Sequence, residues 1–262
     1  MTQRIIDSHA HVFLKDMPHV ANPRHKIDWD YRIEQYLETM DRHGIERAAL
    51  AAASPYGDYN DYMIASVRGR PRLRCTVIVK PEVERYTLEA MKRDNVVGVR
   101  LPYINLDPLP DLAAFEYQRL LRRFRDLDWH VHLHLDGPRL PQVMPALEAS
   151  GVKLVVDHYG RPDPKQGVNC AGFQLLLRAL QKGNTWVKVS AGYRLGRERT
   201  AAYGLALLKE APERLLWASD CPFVGHEKEV KFQETIDDVL AWLPASAHDQ
   251  VFWQNAEKLY FS

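Results

Sequence analysis

Two histidines one residue apart, His9 and His11, lie in an apolar stretch near the start of the chain, Ile5-Ile-Asp-Ser-His-Ala-His-Val-Phe13. Side chains alternate faces along a strand, so this pair projects from one face. Far along the chain, Leu215-Leu-Trp-Ala-Ser-Asp-Cys-Pro222 delivers Asp220. A carboxylate ionised near neutrality can take a proton from attacking water, and nearby imidazoles can donate to a developing oxyanion. The same residue types can ligate a divalent metal. A histidine pair on a first strand and a carboxylate on a last strand meet only if the sheet closes on itself.

Periodicity supplies the elements that would position these groups. Eight short apolar runs, near 5–12, 46–54, 73–79, 96–103, 130–135, 153–158, 185–192 and 215–220, read as strands. Helical spacing of apolar residues lies between most of them, as in Tyr36-Leu37-Met40, Leu120-Leu121-Phe124-Leu127 and Leu175-Leu176-Leu177-Leu180. Gly44, Gly151 and Gly183 stand where helix C-caps belong. Eight alternations with no Pro/Ser-rich linker point to one (β/α)8 TIM barrel spanning residues 1–262. A doubly wound open sheet is the alternative, but the glycine-rich phosphate loop it favours is missing after the first strand.

Barrel active sites form at the C-terminal strand ends. Polar residues there are His9 and His11 on strand one, Ser54 and then Tyr56 after strand two, and Arg100 on strand four. Strand five carries His130, His132 and His134 on one face, followed by Asp136. Strand six ends at Asp157-His158, strand seven runs through Lys188 and Ser190 to Arg194, and strand eight ends at Asp220. Guanidinium groups at such ends would grip substrate carboxylates bidentately.

Composition narrows the partners. The net charge of +1 gives no global attraction to nucleic acid or an acidic membrane. The hydrophobic fraction of 46% and charged fraction of 26% exclude disorder as the main state. No apolar run approaches a membrane span, and the N-terminus lacks a signal peptide's apolar segment. Cys75, Cys170 and Cys221 lack CxxC spacing, so the expected compartment is the reduced cytoplasm. A small molecule is the expected partner, and homo-oligomer formation is left open.

The stretches Asp7-Ser-His-Ala-His-Val-Phe13, Gly98-Val-Arg-Leu101, Val155-Val-Asp-His-Tyr-Gly-Arg-Pro-Asp163, Val187-Lys-Val-Ser190, Leu216-Trp-Ala-Ser-Asp-Cys-Pro222 and Asn255-Ala-Glu-Lys-Leu-Tyr260 resemble the amidohydrolase superfamily. Within it they are similar to the branch containing 2-pyrone-4,6-dicarboxylate lactonase, and the most specific stretch is 157–163. The resemblance implies a hydrolase that opens a lactone by adding water. Asp220 would be the general base, with His9, His11 and His158 around the carbonyl. Arg100, Arg194 and Arg161 would hold substrate carboxylates, with Ser54, Tyr56 and His134 as further substrate contacts.

Two departures bear on this reading. The lactonase has a second arginine shortly after the strand-four arginine, where this chain reads Leu101-Pro-Tyr-Ile-Asn-Leu106. Part of a dicarboxylate clamp is therefore missing, which favours a lactone with one carboxylate or another anion. The lactonase also works without metal and has tyrosine where this chain has His134. Metal-dependent members use a ligand set that His9, His11, His134 and Asp220 would supply for zinc. The expectation is a metal-free lactonase. A zinc-dependent hydrolase or decarboxylase is the alternative, and a non-catalytic small-molecule binding protein is a third reading.

Overall fold

The computed structural model describes residues 4–262. Each apolar run becomes a parallel strand: β1 Ile5–Ala10, β2 Ile45–Ala51, β3 Leu73–Val77, β4 Val96–Leu101, β5 His130–Leu133, β6 Lys153–Val156, β7 Thr185–Val189 and β8 Leu215–Trp217. They form one sheet in sequence order. The sheet closes where Ala10 bridges Cys221, His11 N–H donates to the Cys221 carbonyl at 2.8 Å, and Asp220 N–H donates to the His9 carbonyl at 2.9 Å. This is the (β/α)8 barrel expected, with no open edge on which a switch-point crevice could form.

Helices α1 Ile33–Arg42, α2 Asp61–Val67, α3 Arg85–Arg93, α4 Phe115–Asp126, α5 Met144–Ser150, α6 Ala171–Gln181, α7 Gly192–Leu195, α8 Arg197–Glu210 and α9 Phe232–Leu240 occupy the connections, and α10 Asn255–Tyr260 ends the chain. Their apolar stripes bury inward, as Ile33, Tyr36 and Met40 do on α1 and Phe173, Leu176, Ala179 and Leu180 on α6. Gly44, Gly151 and Gly183 follow α1, α5 and α6 at φ of +67°, +73° and +83°, a region that suits glycine.

Several strands stop short of their expected ends. β2 ends at Ala51 rather than 54, β3 at Val77 rather than 79, and β7 at Val189 rather than 192. The last residues of those runs leave the ladder to form turns, such as Ser54–Tyr56, which carry polar groups over the barrel mouth.

The barrel interior is layered. Ile6, Ala49, Val155, Trp186 and Leu216 pack with Trp253, Ala256 and Tyr260 from the C-terminal segment. Above this apolar layer the interior is polar, with Arg100, His132, Asp157 and Lys188 all buried. Gly98 makes room for this filling: a Cβ there would meet the His130 backbone oxygen at 2.4 Å and its ring at 2.8 Å.

Candidate active site

Local backbone aims the key groups. His158 and Asp220 have φ of +53° and +64°, a region that non-glycine residues rarely adopt. Both follow the last ladder residues of their strands, and the sharp turn brings their side chains together over the barrel axis. Such conformations persist where surrounding structure over-determines them, and they cluster at functional sites.

The two oxygens of Asp220 are differentiated. Oδ2 accepts from Tyr193 Oη at 2.6 Å and from Arg194 Nε at 2.9 Å. Oδ1 faces three imidazoles, with Nε2 of His9, His11 and His158 at 3.6, 3.7 and 3.7 Å. Burial by itself would raise the Asp220 pKa, but His158 and Arg194, then His11 and His9, hold it well below the ordinary carboxylate value. The carboxylate is therefore ionised at neutrality, and Oδ1 is the oxygen left to accept a proton.

Partners that only donate, or only accept, constrain the histidine nitrogens they face. His11 Nδ1 lies 2.6 Å from the Ala51 carbonyl and must donate to it. His9 Nε2 lies 3.2 Å from His11 Nε2. The other nitrogen of His9 stands between a donor, Lys188 Nζ at 2.8 Å, and an acceptor, Asp157 Oδ1 at 3.3 Å. Lys188 also donates to His132 Nδ1 at 2.9 Å and pairs with Asp157 at 3.2 Å. Burial is the largest cause lowering the Lys188 pKa, to about 8, against the opposing pull of Asp157. His134 Nδ1 accepts from Arg100 Nη2 at 3.2 Å, so its proton sits on Nε2, toward the pocket. Burial, then neighbouring Arg100, drives the His134 pKa well down, and burial brings His158 to about 3. Both rings are neutral at pH 7.

Of the residues singled out from sequence, His11, Ser54, Arg100, His134, His158, Arg194 and Asp220 line one pocket, with His9 directly beneath against His11 and Asp220. Arg100 is held by Asp157 at 3.3 Å and the Ala52 carbonyl at 3.0 Å. Arg194 holds Asp220 rather than standing free. Tyr56 does not join them. The turn after Ser54 carries it beneath the β1–α1 connection, where it packs against Phe13 and His19. Arg161 faces a neighbouring cleft that shares Arg194, and it is paired with Asp136 at 2.9 Å.

Three polar groups at the site, two lining the pocket and one behind Asp220, escaped the sequence reading. Arg24 and His25 reach the pocket from the long β1–α1 connection, residues 11–32. That segment is pinned by paired hydrogen bonds between Phe13 and Tyr31, both 2.9 Å, and by a cluster of Phe13, Met17, Ile27, Ala53 and Tyr56. A search of strand ends cannot find residues in a connection. Tyr193 was also passed over, although it adjoins Arg194 and donates to Asp220.

A family model described as Amidohydrolase matches residues 6–261. The chain belongs to the amidohydrolase family. It is 29% identical over 229 residues to a 4-sulfomuconolactone hydrolase of Rhizobium radiobacter, covering 84% of this chain and 76% of that protein. A Pseudomonas putida structure with the provisional name 2-pyrone-4,6-dicarboxylic acid hydrolase is 33% identical, covers 99% of this chain and 98% of its own, and superposes with a TM-score of 0.91. An Acinetobacter baumannii structure with the same provisional name, solved with citric acid bound, is 28% identical over 98% of this chain and 99% of its own, with a TM-score of 0.93. Some amidohydrolases of this fold bind metal: a Burkholderia multivorans structure with bound zinc is 16% identical, covers 98% of this chain and 99% of its own, and has a TM-score of 0.81.

The four-ligand metal set read from the sequence is not assembled. His9, His11 and Asp220 each offer an atom within 4.8 Å of the others, a spacing that suits a divalent ion. His134 is outside that group, with Nδ1 taken by Arg100. Three of the four expected ligands are thus assembled, and His9, Asp157 and His158 form a second group of the same kind.

Proposed function

We propose that this amidohydrolase opens a small anionic ring lactone by adding water to the ester carbonyl, without a metal. The observation that carries the reading is the Asp220 carboxylate. One oxygen is fixed by Tyr193 and Arg194, and the other is ringed by imidazoles at an arginine-lined pocket. Asp220 Oδ1 takes a proton as water oxygen bonds to the carbonyl carbon. The oxyanion lies against His158 and the Nε2–H of His134. The ring C–O bond then breaks, and Asp220 returns the proton to the leaving oxygen. His9 and His11, engaged with each other, hold the shape of the carbonyl site, while Arg100 and the outer nitrogens of Arg194 orient an anionic substituent. Relatives named for lactone hydrolysis, and one solved with citric acid, support a carboxylate-bearing ring substrate. The binding-protein reading is disfavoured, because an ion-paired carboxylate among buried histidines is costly to bury without a use.

Asp220→Asn keeps the size of the side chain and removes its basicity. Lactone opening, followed as proton release, should fall by at least ~10²-fold; full activity in this variant would overturn the proposal. A second reading rests on the spacing of His9, His11 and Asp220 and makes the protein a zinc-dependent hydrolase or decarboxylase. Metal analysis of protein purified without chelator separates the two, since one equivalent of zinc that is needed for turnover would replace the metal-free proposal.

A further inference from the structure

The cations around the pocket are not equivalent. Arg100 has Asp157, Arg194 has Asp220 and Arg161 has Asp136, each within 3.3 Å. Half-buried Arg24 has no carboxylate within 4.0 Å among the described residues. Its Nη1 lies 3.5 Å from His134 Nε2, which carries the ring's hydrogen because the closer Arg100, at 3.2 Å, donates to Nδ1. Arg24 therefore brings donors to the pocket without an internal acceptor. Burial lowers its pKa to about 10, with Arg161 and Arg194 adding repulsion, so an arriving anion enters a positive field.

The placement of Arg24 gives a spacing. Arg100 and Arg24 approach opposite ring nitrogens of His134. The two guanidinium groups therefore stand on either side of one imidazole ring, both at the pocket. Leu106, in the stretch where the resembled lactonase has its second arginine, is exposed and does not line the pocket. The second cation enters instead from the β1–α1 connection, fixed there by the Phe13–Tyr31 pairing.

We propose that Arg24 is the second anion clamp of this pocket and sets a preference for ring lactones that carry two anionic groups, each a carboxylate or a sulfonate. The proposal deepens the lactonase reading and rests on it. The planar fork of a guanidinium serves either anion.

The test uses the full chain, with Arg24→Met and Arg24→Gln as variants and thermal melts to establish that at least one folds. Each is assayed on ring lactones carrying two carboxylates, one carboxylate plus one sulfonate, or one carboxylate. The ratio of kcat/KM for two-anion over one-anion lactones should fall at least about tenfold in the variants, mainly through KM. Whichever two-anion lactone loses more identifies the anion held by Arg24. An equal loss on all three lactones, or no loss on any, overturns the clamp. Calorimetric titration with citrate needs no turnover and separates the two failures. If the wild type opens no lactone, the lactonase reading fails, yet citrate binding weakened about tenfold in the variants still supports the clamp. Equal citrate affinity in wild type and variants overturns it.

Discussion

Arg100 shows how a residue's surroundings change the meaning of a substitution. From sequence, replacing a strand-end arginine removes a substrate contact and leaves the fold intact. In the structure Arg100 is 3% exposed and donates to the buried carboxylate of Asp157, the Ala52 carbonyl and His134. Arg100→Met should therefore raise KM for an anionic lactone and also lower stability, on the order of 3 kcal/mol, because breaking a buried pair leaves charge uncompensated. Lys188 stays beside Asp157 and limits the damage. Denaturant melts with parallel kinetics check both halves, and an unchanged melt would mean that Arg100 is not tied into the interior.

At the scale of elements, the constraint lies where β4 passes β5. Gly98 is paired with His130 in the ladder, and any Cβ would strike the His130 backbone and ring. Gly98→Ala should destabilise by about 1–3 kcal/mol, the usual cost of overpacking an interior that cannot shift. The displaced β5 would carry His132 and His134 with it, so kcat should drop as well. A Gly98→Ala protein with wild-type Tm and kcat would show that the strands have slack. The β1–α1 connection makes the complementary point: a segment outside the regular elements, packed by Phe13, Met17 and Ile27, supplies pocket groups as firmly as the strands do.

For the whole molecule, the polar interior should make stability depend on pH. His9, His130, His132, His134 and His158 are all held below the ordinary value of 6.5, with burial the largest cause in each. Below about pH 6.5 the unfolded chain binds protons that the folded chain refuses, so stability falls as pH drops, at up to about 1.4 kcal/mol per pH unit for each histidine. Asp157 and Asp220, whose pKa values are depressed in the fold, add a further loss only below about pH 4. Tm should therefore fall steadily from pH 7 to pH 5, and a flat or rising Tm over that range would contradict neutral buried histidines.

Much of this was legible in the chain because it is periodic and local. Apolar runs alternating with helical spacing dictate strands and helices, eight of them close a barrel, and polar residues at their ends fall at its mouth. That reasoning reached His11, Ser54, Arg100, His134, His158, Arg194 and Asp220 in the pocket, with His9 beneath. Local pattern does not describe the path of a long connection or the choice among competing partners. Only the tertiary structure brought Arg24 into the pocket, turned Tyr56 under the connection and aimed Arg161 at Asp136. It likewise decided which nitrogen of His134 carries the proton, because that depends on Arg100, a neighbour distant in sequence.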